Sequence, residues 1–146
     1  MASKAILQLK GFDHLLEQIQ KAGGSIDQAA DSCLRQSAQI MQSELKAQMQ
    51  AAGVDGGLIN SMPQPQITVK NNRYSAAVGY QKGNYDPNDI SDGYKVVFLN
   101  YGTPRRTMHG KVAARGFIKK ARDKARPQIK KEQEATLHKI LGRVSK

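Results

Sequence analysis

The stretch that decides the fold lies between residues 94 and 126, and it reads YKVVFLNYGTPRRTMHGKVAARGFIKKARDKAR. Three signals meet in it. The apolar run Val96–Leu99 ends in a turn sequence that contains Gly102 and Pro104, a basic loop follows, and a basic helical pattern begins near Gly116. The stretch therefore predicts a buried element, a tight turn and a charged helix in immediate succession.

Length and composition favour one domain. A chain of 146 residues buries about 70% of its unfolded surface when it folds around a single core. Hydrophobic residues make up 39% of the chain and aromatic residues only 5%, so we expect a core of aliphatic side chains, Met and Ala. The single cysteine, Cys33, cannot form an internal disulfide and is expected to be a small buried side chain.

Two further absences in the sequence suggest a compartment. No apolar run approaches the length of a transmembrane helix. Residues 1–10 lack the apolar segment of a secretory signal. A reducing cytoplasm is therefore the expected compartment.

The net charge of +11 belongs to the last third of the chain. Residues 1–60 carry five Lys/Arg against six Asp/Glu, residues 61–100 carry four against three, and residues 101–146 carry fourteen against three. This asymmetry indicates a polyanionic or acidic partner for one end of the molecule, with a solvated surface as the alternative.

Two helices are predicted in the first 52 residues. The first spans about residues 12–22, where apolar residues recur at helical spacing. The second begins after Ser25, an N-cap residue in a capping box with Gln28, and runs to about Ala52. Its predicted core-facing stripe consists of Ile26, Ala29, Ala30, Cys33, Ser37, Ile40, Met41, Leu45, Met49 and Ala52.

The middle of the chain predicts a small antiparallel sheet. Residues 66–70 and 73–80 form a hairpin, because Asn71-Asn72 tolerates the left-handed backbone of a tight turn. Residues 81–93 are rich in turn-forming residues and predict a mobile loop. Residues 94–101 are expected to form a third strand buried on both faces, although the apolar run alone also allows a helical turn.

The last predicted helix begins near Gly116 and is interrupted by Pro127, which predicts a kink or two abutting helices. Its apolar side consists of Phe117, Ile118, Ala121, Ala125, Ile129, Leu137, Ile140 and Leu141.

Basic residues recur every three or four positions along this helix and continue from the loop before it. Such a ridge suits duplex DNA, whose phosphates need only Lys and Arg, and it suits an acidic protein surface equally well. No aromatic residues are interleaved, so base stacking is not supported. The predicted contact residues are Arg105, Arg106, Lys111, Arg115, Lys119, Arg122, Arg126 and Lys130.

The sequence contains none of the common catalytic or metal-binding motifs. His14, His109 and His138 are far apart and lack neighbours at metal-ligand spacing. The Walker A, G-x-S-x-G and G-x-G-x-x-G patterns are absent. We therefore predict no catalytic residues, no cofactor and no metal.

Three short segments, taken in order, resemble the signatures of a known family. Residues 54–62, VDGGLINSM, resemble V-D-T-G-x-L-R-x-S-I after a long helix. Residues 99–103, LNYGT, stand where that family has an apolar run ending in E-F-G-T, and residues 114–121, ARGFIKKA, resemble A-R-P-F-L-x-x-A. The family is that of the head–tail joining, or tail-completion, proteins in the neck of long-tailed phages. The chain departs from it at Gly56, Asn100 and Gly116.

The expected fold is an α+β domain in which a long N-terminal amphipathic helix and a basic C-terminal helix pack on a small, mainly antiparallel sheet. The resemblance implies structural roles for the matching motif positions. These are Val54, Asp55, Gly57, Leu58, Ser61, Gly102, Thr103, Arg115, Phe117 and Ala121.

The resemblance also implies a function. It is that of a virion structural protein at the head–tail junction, which forms a closed homo-oligomeric ring, a hexamer, stacked on neighbouring neck, tail-terminator or tail-tube proteins. Such a protein resides in the virion and, during assembly, in the host cytoplasm. Loops 81–93 and 103–111 are expected to order against neighbours. The alternative is an accessory protein that binds nucleic acid nonspecifically through its basic C-terminal third.

Overall fold

The computed structural model describes residues 4–8, 13–71, 73–80, 88–103 and 113–144. The fold is α+β, as the sequence predicts. In chain order the described elements are β1 (Lys4–Gln8), α1 (Asp13–Lys21), α2 (Ile26–Ala51), α3 (Gly56–Asn60), β2 (Gln66–Lys70), β3 (Arg73–Gly79), α4 (Asp92–Tyr101) and α5 (Phe117–Val144).

The two long helices, α2 and α5, lie antiparallel against each other. Thr136 Oγ1 donates to Gln36 Oε1 at 2.6 Å, and Gln128 Nε2 donates to Glu44 Oε1 at 3.5 Å. Residue 36 thus lies beside residue 136 and residue 44 beside residue 128, which shows that the two helices run in opposite directions. With 26 and 28 residues, the helices are about 39 and 42 Å long at about 1.5 Å per residue.

The predicted apolar stripe of α2 is largely confirmed. Seven of its members are buried, while Ile26, Ile40 and Ala52 are half-buried. Leu34 and Ala38 are also buried, although the stripe did not include them. They are buried because α2 packs against both α5 and the sheet, which widens its apolar face. The buried members are Ala29, Ala30, Cys33, Ser37, Met41, Leu45 and Met49.

The predicted ends of α2 are confirmed. The Ser25 side chain accepts a hydrogen bond from the Gln28 N–H at 3.3 Å, which caps the first turn. After the last turn, Gly53 adopts φ 76, a left-handed conformation that glycine reaches without strain. The chain then reverses into α3.

A three-stranded antiparallel sheet with the order β1-β3-β2 covers one side of α2. The predicted hairpin is confirmed, with Asn71 at φ 51 in its turn. Ala76 and Val78 of the central strand are fully buried in the same apolar cluster as Phe117 of α5. The strand β1 was not predicted, because five residues give too short a pattern and its partner β3 is about 70 residues away in the sequence.

The prediction of a third strand at residues 94–101 is wrong, because Asp92–Tyr101 forms the helix α4. Ser91 occupies its N-cap position with extended backbone, and Gly102 ends it at φ 75. Only Gly93, Val96 and Asn100 are buried in it, at the three- and four-residue spacing of a helix face. Residues 92–93 therefore belong to α4 rather than to the preceding loop.

The helix α5 continues as one helix through Pro127. Of the predicted kink or two abutting helices, the two abutting helices are therefore wrong. Pro127 lies on the exposed side of the helix. Asp123, whose carbonyl loses its usual N–H donor, is exposed as well, so water can replace that donor. The apolar side is as predicted, since all of its residues are buried except Ile140 and Leu141, which are half-buried.

Of the two predicted loops, residues 81–87 and 104–112 lie outside the described residues. No helix among the described residues has the length and apolar character needed to cross a lipid bilayer.

We expect Phe117→Ala to lower the free energy of unfolding by about 3–5 kcal/mol, because the side chain is fully buried and its loss leaves a cavity. Chemical denaturation measures the change. The control is Lys120→Ala, an exposed position in the same helix, for which a change within about 0.5 kcal/mol is expected. Equal effects of the two substitutions would show that Phe117 does not stabilise the core.

Candidate functional site

The first signature segment, residues 54–62, forms the short helix α3 and its caps. Asp55 Oδ2 accepts from the N–H groups of Gly57 and Leu58 at 3.0 and 3.3 Å. The Ser61 hydroxyl donates to the Leu58 carbonyl at 2.8 Å. A Cβ on Gly57 would lie 2.9 Å from Asp55 Oδ2, so the glycine allows the cap to close. Val54 and Leu58 are buried beneath the turn.

The second and third signature segments are hydrogen-bonded to each other. The N–H of Arg115 donates to the carbonyl of Leu99 at 3.1 Å, and the N–H of Gly116 donates to the carbonyl of Asn100 at 3.0 Å. The side chain of Asn100 adds a third bond, because its Oδ1 accepts from the N–H of Ile118 at 2.9 Å. The end of α4 and the start of α5 therefore form one unit.

Asn100 is a cap supplied from a different element. The first N–H groups of α5 lack partners within their own helix, and Gly116 before it has no side chain to offer. The amide of Asn100, itself only 4% exposed, takes that place. In the sequence, Asn100 stands out only as a departure from the signature. Its role as a cap is not predictable there, because capping rules apply to neighbouring residues and Ile118 is 18 positions away.

The departure at Gly116 also has a structural reason. Gly116 adopts φ 63, whereas proline is restricted to φ near −65°. The proline of the family signature therefore does not fit the backbone that this chain adopts at this position.

Arg115 joins the third segment to the end of α2. Its Nη1 donates to the carbonyl of Ala52 at 3.1 Å, where a cation also complements the negative end of the helix dipole. Arg115 was predicted as a contact for DNA or an acidic partner. The structure places it in an exposed but structural position.

Tyr80, the residue after β3, connects the sheet to the first signature segment. Its hydroxyl donates to the carbonyl of Leu58. Burial, together with the negative charge of Asp92, raises the pKa of Tyr80 to about 12, although the side chain of Ser61 acts in the opposite direction. The phenol therefore stays protonated and remains a donor at neutral pH.

All three signature segments thus meet at one end of α2, which we call the signature junction: residues 54–62, 99–103 and 114–121. Phe117 and Ala121 are fully buried there, and Thr103 is buried as well. Gly102 ends α4 with a positive φ of 75, in the region that favours glycine.

The predicted basic ridge lies partly on α5. Lys119, Arg122, Arg126 and Lys130 are all exposed, and at about 100° per residue they fall within an arc of about 80°. The loop residues Arg105, Arg106 and Lys111 lie outside the described residues.

A second basic stripe on α5 was missed. Lys120, Lys124 and Lys131 are exposed and fall within about 40° of one another on the other flank of the helix. Their spacing of four and seven residues is a helical signal that the sequence already contained. The helix therefore presents positive charge on two flanks.

Little of this charge is neutralised locally. Residues 117–131 contain seven Lys/Arg and a single acid, Asp123. Within the described chain, the ion pair that this half of α5 forms is Lys119 Nζ to Asp123 Oδ2 at 3.2 Å. Exposed pairs of this kind contribute little to stability. The positive charge of this half of α5 therefore remains largely uncompensated by its own side chains.

The described residues offer no site for a metal ion, since they contain no group of three or more His, Cys, Asp or Glu side chains suited to one. Cys33 of α2 is buried and faces α5, because its thiol donates to the carbonyl of Gln133 at 3.8 Å. Burial, with a smaller effect from Glu132, raises the pKa of Cys33 to about 12. The thiol is therefore neutral at physiological pH, and it is a packing residue.

Comparison of the chain with protein-family models, with curated proteins and with solved structures finds no match.

We expect Asn100→Ala to lower the free energy of unfolding by about 1–3 kcal/mol, because it leaves the buried N–H of Ile118 without an acceptor. Denaturant unfolding measures the loss. Asn60→Ala, at an exposed position in α3, is the control and should change stability by less than about 0.5 kcal/mol. If Asn100→Ala behaves like this control, Asn100 is not the cap of α5.

Proposed function

We propose that this chain is a structural protein of the neck of a tailed phage, where it joins or completes the tail as one subunit of a homo-oligomeric ring. The observation that carries the proposal is the signature junction. Three segments that resemble the family signatures, in the family's order, also pack in one apolar cluster at one end of α2. The second and third are hydrogen-bonded to each other, and the third is hydrogen-bonded to the end of α2.

The junction gives these resemblances a common physical basis. Asp55 caps α3, Gly102 ends α4, and Phe117 anchors α5 in the core. Each of these positions has a role for which few residue types suffice. Loose motifs that depend on one another in a single local structure support the resemblance more strongly than three unrelated matches would.

The basic face of α5 fits this proposal in two ways. In the neck, DNA passes from the head towards the tail, and a ring with exposed Lys and Arg along its channel neutralises phosphate without reading sequence. A positive face also orients a subunit on an acidic neighbouring ring. The proposed partners are other copies of this chain in a hexameric ring, the adjoining neck, tail-terminator or tail-tube proteins, and duplex DNA. The role is structural rather than enzymatic.

The test is to purify phage particles that carry an affinity-tagged copy of this chain and to determine their structure by electron microscopy. We expect a closed ring, proposed to contain six copies, at the head–tail junction. Free chain in the host cytoplasm is expected before assembly. Absence of the chain from the particle, or a single isolated copy in it, contradicts the proposal.

One observation favours a second function, that of an accessory protein that binds nucleic acid nonspecifically. Residues 117–131 of α5 carry seven Lys/Arg against one Asp. These exposed cations can contact DNA in a single chain, without assembly into a ring. A chain that binds duplex DNA tightly but is absent from particles has this second function.

We expect the combined substitution of Arg122, Arg126 and Lys130 by Gln to weaken binding of the chain to duplex DNA and to reduce the salt dependence of binding. The logarithm of the binding constant decreases linearly with the logarithm of the salt concentration. The magnitude of this slope should become smaller by up to about 3, because each lost phosphate contact removes about 0.9 from it. Fluorescence anisotropy at several salt concentrations measures both effects.

The matched control replaces Lys21, Lys139 and Arg143, three exposed cations away from this ridge, by Gln. This control variant loses the same net charge, but the salt dependence of its DNA binding should remain close to that of the wild-type chain. Equal losses in the two variants would show that net charge alone drives binding. If the wild-type chain has no salt-sensitive affinity for DNA, the ridge faces protein.

A further inference from the structure

The apolar run of α4 is only partly buried within the chain. Val96 is 1% exposed, whereas Val97, Phe98 and Leu99 are half-buried and Tyr101 is 51% exposed. The sequence predicted full burial for this run. A helix with aromatic and aliphatic side chains on several sides gains further stability when another surface covers it.

One side of α4 forms an open groove with α3, which we call the α3–α4 groove. Its cavity volume is about 510 Å³. The apolar side chains of Leu58, Ile90, Phe98 and Leu99 line it.

The charged residues of the groove are Asp55, Asp92 and Lys95. Asp92 Oδ1 and Lys95 Nζ are 3.6 Å apart, and Asp55 adds a second carboxylate. The groove is therefore apolar inside and carries one net negative charge among these residues.

The same chain displays a surface of complementary character on the strand β2. Among the described residues, Val69 and Tyr101 are the large hydrophobic side chains that are exposed, and Val69 is 59% exposed. Lys70, exposed as well, follows it directly. The strand lies at the edge of the sheet, and an edge with an exposed apolar side chain is a typical protein contact. We call Val69 and Lys70 the β2 edge.

The β2 edge and the α3–α4 groove of one molecule lie too far apart to meet. Val69 pairs with Tyr74, whose hydroxyl donates to Asp27 at the start of α2. Tyr80 reaches Leu58, beyond the end of α2. Six residues of extended strand separate the two tyrosines, which corresponds to about 20 Å.

From this placement we propose that the β2 edge of one copy docks in the α3–α4 groove of a second copy. Val69 enters the apolar groove, and the ammonium group of Lys70 approaches the carboxylates of Asp55 and Asp92. Because the two surfaces are different and lie apart, the contact is heterologous, and repetition of such a contact closes a ring when the rotation permits. The inference rests on the proposed ring and names the surfaces that would build it.

The first experiment is disulfide trapping between two variants, Val69→Cys and Lys95→Cys, mixed under mild oxidation. We expect a cross-linked pair of chains to form faster than in a mixture of Val69→Cys with Gln39→Cys, whose new thiol is exposed on α2 away from the groove. The native Cys33 is present in every variant and cancels in the comparison.

The double variant Val69→Cys with Lys95→Cys extends the test. Bridged cysteines have Cα atoms about 4.4–6.8 Å apart, so the two new thiols cannot pair within one chain. We expect a ladder of linked chains, and its largest closed product gives the number of subunits. Linkage no faster than in the Gln39→Cys control, at every concentration tested, overturns the inference.

The second experiment measures self-association by sedimentation. Val69→Glu places a carboxylate against the apolar groove and should weaken the association constant about 30-fold, as expected for the loss of a central anchor. Thr68→Glu adds the same charge to the neighbouring exposed position of β2, whose side chain points to the opposite face of the sheet. It should have a much smaller effect. Equal effects of the two variants overturn the inference.

The failure of this inference is distinguishable from failure of the proposed function. If the wild-type chain is found as a ring in particles, but the cross-link and Val69→Glu behave like their controls, the ring uses other surfaces. If the chain is absent from particles, the proposed function fails whatever the cross-link shows.

Discussion

The structure depends on the antiparallel contact between α2 and α5. Small side chains on both helices, such as Ala30, Ala38, Ala121 and Ala125, are fully or almost fully buried, and small residues let neighbouring elements pack closely. The sheet then covers the remaining apolar side of α2, so this helix touches every other layer of the fold. Because both helices are about 40 Å long, their contact also fixes how far apart the two ends of the molecule lie.

The signature junction is built at one of these ends. The C-terminus of α2, the N-terminus of α5 and the end of α4 all need partners for backbone groups that a helix leaves unpaired. Arg115 and Asn100 satisfy two of these needs across different elements. The second and third signature segments therefore satisfy backbone groups of each other, and Arg115 extends this bonding to the end of α2.

Much of this fold follows from sequence because the relevant rules are local. Ser25 begins α2 and Asn71 turns the hairpin, and each acts on residues within three or four positions. The exposed ridge of Arg and Lys on α5 follows from helical spacing in the same way. Residues 94–101 were assigned to the wrong element because four consecutive apolar residues fit either period. The residues that flank the run, Ser91 with Asp92 before it and Gly102 after it, were the signals that favour a helix. Asn100 and β1 were missed for another reason, since their partners are distant in the sequence.

Among the described residues, the buried side chains form two separate clusters, and α5 belongs to both. Its first half, with Phe117 and Ile129, packs with the sheet, α3 and α4, whereas Leu137 packs with Ile19 and Cys33 in a smaller cluster at the other end. Pro127 interrupts the hydrogen-bond ladder of the helix within its first half. The last turns of α5 and the helix α1 share the smaller cluster, and we expect them to open more readily than the signature junction, because fewer buried side chains hold them. Amide hydrogens in these turns are expected to exchange with solvent sooner than those near Phe117.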